Sequence, residues 1–128
     1  MPIIVPVLPS TVARVDFEIY NNATWQDAMQ FGTPGDTTWS LTGQSFRCDI
    51  KADKLGSALL SLTSGAGQIV VDDVVQRVIN FNVPEITLGV IIPGEYYYDF
   101  VMQDTSSPPI RVILMNGHLK VLLGISGG

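Results

Sequence analysis

The residues best suited to chemistry are three consecutive tyrosines and an aspartate, in the stretch PGEYYYDF from Pro93 to Phe100. Phenol groups donate hydrogen bonds, and their rings stack on sugars or on partner side chains. In a strand, the period of two places Tyr96 and Tyr98 on one face and Tyr97 on the other. This alternation argues against a continuous aromatic floor, and a structural role and a stacking role both remain open.

The structural role suits the tyrosines on the first of these faces. A tyrosine shortly after a glycine turn at the start of a late strand is typical of the tyrosine corner, in which the phenol hydrogen-bonds to the backbone upstream. We predict this role for Tyr96 or Tyr98, with the acceptor in the stretch EITLGV, residues 85–90. The alternative, stacking against a sugar or a partner chain, falls mostly on Tyr97.

Other candidates for catalysis or metal binding are weak. His118 is the only histidine, and no nucleophile elbow accompanies it, so we predict an exposed histidine at a strand end. Asp72 and Asp73 lack the spacing of a calcium loop, which favours a solvated turn. Trp25 and Trp39 are either core residues or interface anchors. We expect no catalytic site, no metal and no cofactor.

The composition predicts a chain that is packed among other proteins. Charged residues make up 15% of the 128 positions, against about 25% in typical soluble domains, while 46% are hydrophobic. A neutral Ser, Thr, Asn and Gln surface is the alternative explanation. The net charge of −5 argues against a nucleic acid partner.

The dominant hydrophobic period is two, which predicts strands. In QSFRCDIK, Phe46, Cys48 and Ile50 alternate with polar residues, so Cys48 is expected to be buried and not disulfide-bonded. In the strand pattern that follows residue 76, Arg77 falls on the same side as Ile79, Phe81 and Val83. About eight short strands with turn signals every 8 to 12 residues predict an all-β antiparallel sandwich or barrel.

Two short motifs qualify this pattern. The stretch PEITLGVI predicts one helical turn, with Pro84 at its first position. Asn116 and Gly117 fit either a two-residue hairpin turn or a bulge at Gly117 in one long strand, and the bulge is slightly favoured.

The N-terminal segment is apolar and interrupted by prolines. We divide the chain into an extended Pro-rich arm at 1–11, a sandwich domain at 12–124 and a flexible tail at 125–128. No apolar run reaches the ~18 to 20 residues that span a bilayer, so we expect no membrane partner. An arm preset by proline loses less entropy on docking. The candidate interface residues are Ile3, Ile4, Val5, Val7, Leu8 and Tyr97.

Several stretches together resemble a known family: DFEIYNNATW, WSLTGQSFRCDIK, LLSLTSGAGQI, INFNVPE, PGEYYYDFVMQD and IRVILMNGHLKVLLGIS. In this order, over residues 14–126, they are similar to small all-β structural proteins of tailed bacteriophages, such as the N-terminal module of upper-baseplate and tail-fibre proteins. The resemblance implies an immunoglobulin-like sandwich without catalysis, in a virion component assembled in the host cytoplasm.

These observations together predict a non-enzymatic virion subunit. Its expected place is the tail, the baseplate or the fibre attachment, where it would act as an adaptor. Its expected partners are other virion proteins and further copies of itself, as a homo-oligomer or a multi-copy component. The alternatives are a capsid decoration protein and a carbohydrate-binding sandwich module that stacks sugars on Tyr97 and a tryptophan.

Overall fold

The period-two pattern corresponds to ten strands in the structure, a computed structural model that describes residues 3–5 and 12–123. A single short helix accompanies them in this part of the chain, and it is far too short to cross a membrane. The elements are β1 (Ile3–Val5), β2 (Ala13–Arg14), β3 (Phe17–Tyr20), β4 (Ala28–Phe31), β5 (Ser45–Lys51), β6 (Leu60–Thr63), β7 (Ile69–Asp73), β8 (Val78–Phe81), α1 (Glu85–Leu88), β9 (Gly94–Gln103) and β10 (Arg111–Leu122).

The strands form two sheets that pack face to face. The smaller has the order β1-β4-β8-β7, and the larger has the order β2-β10-β9-β5-β6, with β3 also paired to β10. The prediction of an all-β sandwich is confirmed, whereas an immunoglobulin-like topology stays a prediction.

The sheets are mixed, not wholly antiparallel as expected. The pairs β1–β4, β2–β10 and β3–β10 are parallel. A tight hairpin forces neighbouring strands to be antiparallel, but β2 and β3 meet β10 from the opposite end of the sequence. No connection therefore fixes their direction, and the turn signals could not reveal it.

Aromatic rings join the two sheets in the core. Phe81 of the smaller sheet stacks on Trp25 at 4.1 Å and meets the edge of Phe100, in the larger sheet, at 5.8 Å. Each such pair adds roughly 0.5–1.5 kcal/mol beyond the area it buries. The predicted inward residues of β5, Phe46, Cys48 and Ile50, are all buried.

A buried arginine organises the loop that follows β4. Arg77 is fully buried at a positive φ of 61°. Its guanidinium lies 5.0 Å from the centre of the Trp39 ring, so this tryptophan packs on the buried arginine. The same group donates to the carbonyl oxygens of Phe31 at 2.7 Å, Asp36 at 2.5 Å, Val75 at 2.9 Å, Thr33 at 2.9 Å and Trp39 at 3.1 Å.

The Asn116-Gly117 pair lies inside one continuous strand. The hairpin alternative is therefore wrong, and β10 runs for 12 residues. Its register shift falls between Ile113 and Met115, so the bulge was expected at the wrong residue. A glycine is needed at position 117 for a different reason, because a Cβ there would lie 2.3 Å from the carbonyl oxygen of Val15. Only glycine allows this close approach.

The predicted helical turn is present as α1. Pro84, expected as its first residue, is its N-cap in an extended conformation with φ −64° and ψ 151°. Leu88 is the residue of α1 that enters the core. The turn leads into the stretch before β9, which places the tyrosines at the start of that strand.

Candidate functional site

The three tyrosines have different surroundings, as the alternation predicts. Tyr98 is 2% exposed between the sheets, and Tyr96 packs against the core from its margin. Tyr97 is half-buried on the opposite, outer face of the larger sheet. The tyrosines therefore serve two faces of β9 and do not form one aromatic surface.

The two tyrosines of the inner face hydrogen-bond to backbone oxygens. The Tyr98 hydroxyl donates to the carbonyl oxygen of Val15, between β2 and β3, and the Tyr96 hydroxyl donates to that of Ile92. Both acceptors lie outside residues 85–90, where one was expected. Burial raises the pKa of the Tyr98 phenol, so this group is neutral and acts as a donor.

Tyr97 stands at the centre of a cross-strand row on the outer face. It pairs in register with Lys51 of β5 on one side and with His118 of β10 on the other. The His118 ring meets the Tyr97 ring edge-on at 5.0 Å, and the Lys54 ammonium lies 5.4 Å from the centre of that ring. Gly117, which approaches Val15 closely, lies beside this row.

The row lines a shallow depression of about 210 Å³. Arg14 and Asn116 complete its wall on the β2 side, and Asp99 lies within it. Lys51 forms a salt bridge to Asp99 at 3.2 Å, and Arg14 lies 3.4 Å from an atom of His118. The depression combines cations with aromatic rings, which suits an anionic group better than a neutral one.

Asp16 fixes one rim of this depression. Its Oδ1 accepts from the backbone N–H of His118 at 2.9 Å and lies 3.4 Å from Nε of Arg14. The hydrogen bond from His118, followed by the contact with Arg14, holds the pKa of this carboxyl below its usual value. Asp16 thus ties the β2–β3 link to β10 in its ionised form.

The predicted interface residues of the arm divide into three groups. Ile3 and Ile4 are exposed on β1, an edge strand of the smaller sheet. Val5 is fully buried in the chain's own core, because β1 pairs with β4, so its side chain does not belong to a surface and its assignment is corrected. Val7 and Leu8 lie outside the described residues.

An exposed apolar surface at one end of the sandwich was not foreseen. Val90 and Ile92 are 68% and 77% exposed, and they flank Ile91, whose carbonyl accepts from the side chain of Asn21. The backbone N–H of Asn21 in turn donates to the carbonyl of Leu122. We call this surface the Asn21 end; its exposed members are Tyr20, Ile86, Val90, Ile92 and Leu123.

A signal for this surface exists in the sequence. Val90, Ile91 and Ile92 form an apolar run between a helical turn and a proline, where no strand alternation can bury all three. Only Ile91 is buried. An apolar run that a loop leaves half-exposed indicates a contact surface.

The remaining residues considered for catalysis or metal binding make contacts that serve the fold. His118 is exposed in the middle of β10, not at a strand end as expected. Asp73 accepts from two backbone N–H groups of the turn after β7, at 3.0 and 3.1 Å. Trp25 is buried, and its indole N–H donates to the carboxylate of Asp27 at 2.6 Å. No cluster able to hold a metal ion occurs in the described ranges.

Comparison with known proteins gives a structural neighbour and no sequence relative. No protein-family model and no curated protein matches this sequence. The fold is similar to the N-terminal domain of phage TP901-1 ORF48, with a TM-score of 0.58 at 8% sequence identity. The match covers 94% of this chain and 97% of that one. The resemblance to an N-terminal module of phage proteins is therefore confirmed in the fold.

Proposed function

We propose that this protein is a structural subunit of a tailed-bacteriophage particle, an adaptor at the tail, baseplate or fibre attachment that acts through protein contacts and not through catalysis. The observation that carries the proposal is the fold match to a phage domain, which runs nearly end to end in both chains. The match covers 94% of this chain, so the likeness to the phage domain extends over nearly all of its fold.

The surface supports a role in assembly. The Asn21 end gathers apolar side chains from three separate segments at one pole of the sandwich, and Ile86 there is 83% exposed. Exposed apolar side chains that gather at one place mark a protein contact more often than single scattered ones do. We assign this end to the contact with a neighbouring virion protein.

The edge strand β1 supports a second contact. Ile3 and Ile4 present apolar side chains beside a strand whose outer backbone edge has no neighbour among the described strands. Such an edge can pair with an extended segment of another chain. Within the described residues of the arm, we therefore assign the predicted docking contact to Ile3 and Ile4 alone.

The side chains most able to catalyse, Cys48 and His118, are buried or held in other contacts. Cys48 is fully buried, and burial raises the pKa of its thiol, so it is not available as a thiolate nucleophile. His118 meets the Tyr97 ring edge-on at 5.0 Å and lies 3.4 Å from a guanidinium nitrogen of Arg14, and neither contact is a hydrogen bond from a nucleophilic hydroxyl or thiol. These surroundings support a function without chemistry.

The carbohydrate-binding alternative receives little support from the aromatic residues. Trp25 is buried against Phe81, and the Arg77 guanidinium lies over the Trp39 ring. The ring of Tyr97 contacts Lys54 and His118. A sugar would therefore have to displace existing contacts before it could stack.

Purified particles provide the test. We expect mass spectrometry of phage particles from the source genome to detect this chain at a fixed ratio to the tail proteins, and antibody labelling in the electron microscope to mark the tail. Labelling over the head would instead support a decoration protein. Absence of the chain from particles would contradict the proposal.

A further inference from the structure

We propose that the depression around Tyr97 binds a carboxylate-bearing segment of a partner polypeptide. The proposal deepens the proposed function, on which it rests, by assigning a third contact and its chemistry. The depression lies on the outer face of the larger sheet, whereas the Asn21 end lies at one pole of the sandwich. Its members that carry the argument are Arg14, Lys51, Lys54, Tyr97 and His118.

Charge is the first argument. Three of the chain's seven Lys and Arg line this depression, against one of its twelve Asp and Glu, Asp99, with Asp16 at the rim. A protein with a net charge of −5 thus concentrates cations at one place. Opposite charge on a partner is what such a patch selects, and it also speeds the encounter.

Lys54 is the cation that remains available for a partner. Lys51 is already paired with Asp99, and Arg14 with Asp16. Lys54 contacts the Tyr97 ring and forms no salt bridge within the part of the chain that the structure describes. A carboxylate that enters the depression can therefore pair with Lys54 without breaking an existing ion pair.

The neighbouring residue favours a polypeptide over an anionic sugar. Leu55 is 97% exposed directly beside Lys54. Asp53 holds this turn, since its side chain accepts from the N–H of Leu55 at 3.4 Å and its carbonyl accepts from the N–H of Gly56 at 2.9 Å. An exposed leucine beside a lysine without a salt bridge is complementary to a polypeptide segment that carries both an acidic and an apolar side chain.

The test uses the full-length chain and two synthetic peptides. One peptide alternates Glu with Leu and Gly, and the other has Gln in place of every Glu. Binding is followed by NMR through the backbone amides of the isotope-labelled protein. Lys54→Glu is compared with Arg111→Glu, which makes the same change of charge at the far end of β10. The amide spectrum of each variant also reports whether it is folded.

We expect the Glu peptide to shift the amides of Tyr97, His118 and Leu55, and the Gln peptide to shift them much less. Lys54→Glu should weaken binding of the Glu peptide by about fivefold or more, while Arg111→Glu leaves it within about twofold. Added salt should weaken binding as well.

Three results would overturn the proposal. The first is that the Glu peptide shifts no amide of the depression, and the second is that it binds equally to both charge variants. The third is that an anionic oligosaccharide such as oligogalacturonate binds the depression more tightly than the peptide does. None of these results would bear on whether the chain is present in phage particles, so the two proposals fail separately.

Discussion

The hydroxyl of Tyr98 donates a hydrogen bond to the carbonyl oxygen of Val15, 83 residues earlier in the chain. This bond ties β9, in the middle of the larger sheet, to the link between β2 and β3 at its edge. The same link approaches Gly117 and carries Asp16, which holds the rim of the Tyr97 depression. Tyr98 therefore supports the outer face from within the core.

Replacing Tyr98 by Phe tests this support. The change removes the donor and leaves the partly buried carbonyl of Val15 without this partner, so we expect the free energy of unfolding to fall by about 1–2 kcal/mol. Tyr96→Phe is the matched control, because its bond to Ile92 is local and exposed, and it should cost at most about 0.5 kcal/mol. Urea denaturation measures both, and equal losses would contradict the assigned role.

The raised pKa of Tyr98 also predicts a dependence on alkaline pH. A phenol whose pKa is raised in the folded state contributes its full stabilisation below the unfolded pKa, about 10, and loses it as the pH rises above that value. We expect the free energy of unfolding to fall above about pH 10, and to fall less steeply in Tyr98→Phe. Identical slopes in the two proteins would exclude Tyr98 as a source of this dependence.

Arg77 is predicted to be a major contributor to the stability of the loop after β4. Arg77→Met removes a donor from five carbonyl oxygens, of which that of Thr33 keeps the N–H of Asp36, so we expect a loss of about 3 kcal/mol or more. Arg111→Met, at an exposed arginine, should change stability by less than about 0.5 kcal/mol. Thermal or urea unfolding provides the comparison, and hydrogen exchange should show faster opening of residues 32–39 only in Arg77→Met.

Gly117 is predicted to be intolerant of a side chain. Gly117→Ala would place its Cβ against the backbone of Val15, so the β2–β3 link has to move, and we expect a clear loss of stability together with shifted amides around Asp16. Gly65→Ala is the control, since its added Cβ meets nothing within 4 Å. A Gly117→Ala variant as stable as Gly65→Ala would refute the close approach.

The N-terminal strand is predicted to combine a core residue with a contact residue. Val5→Ala should cost about 1–3 kcal/mol, because it opens a cavity in the core. Ile3→Ser should leave the free energy of unfolding within about 0.5 kcal/mol and lower the amount of the protein in particles. Deletion of residues 1–10 removes Val5 as well, so it should also cost core stability. Unchanged incorporation of Ile3→Ser would count against the contact.

Much of the sandwich follows from local pattern. The alternation of Phe46, Cys48 and Ile50 is enough to bury one face of β5, and the tyrosines of β9 divide between two faces for the same reason. The helical turn at α1 is also readable, because Pro84 and Glu85 mark its start. These features depend only on residues close in sequence.

Features that depend on distant pairing were not accessible. No local signal places Lys51 and His118 on either side of Tyr97, because strand register joins segments that are far apart. The parallel direction of β2 and β3 is hidden for the same reason. For Arg77 the local pattern predicts only the direction of the side chain. Its alternation with Ile79 places it on the inner face, but gives no hint of the five carbonyl oxygens that make its burial possible.

The central claim is that this domain is packed among neighbouring proteins in a phage particle. A cryo-electron microscopy map of the particle tests it most directly, by showing where the fold lies and what covers the Asn21 end. The account predicts density for the domain at the tail, with Val90 and Ile92 buried against another chain. A map in which the domain is absent, or in which both side chains face solvent, would contradict it.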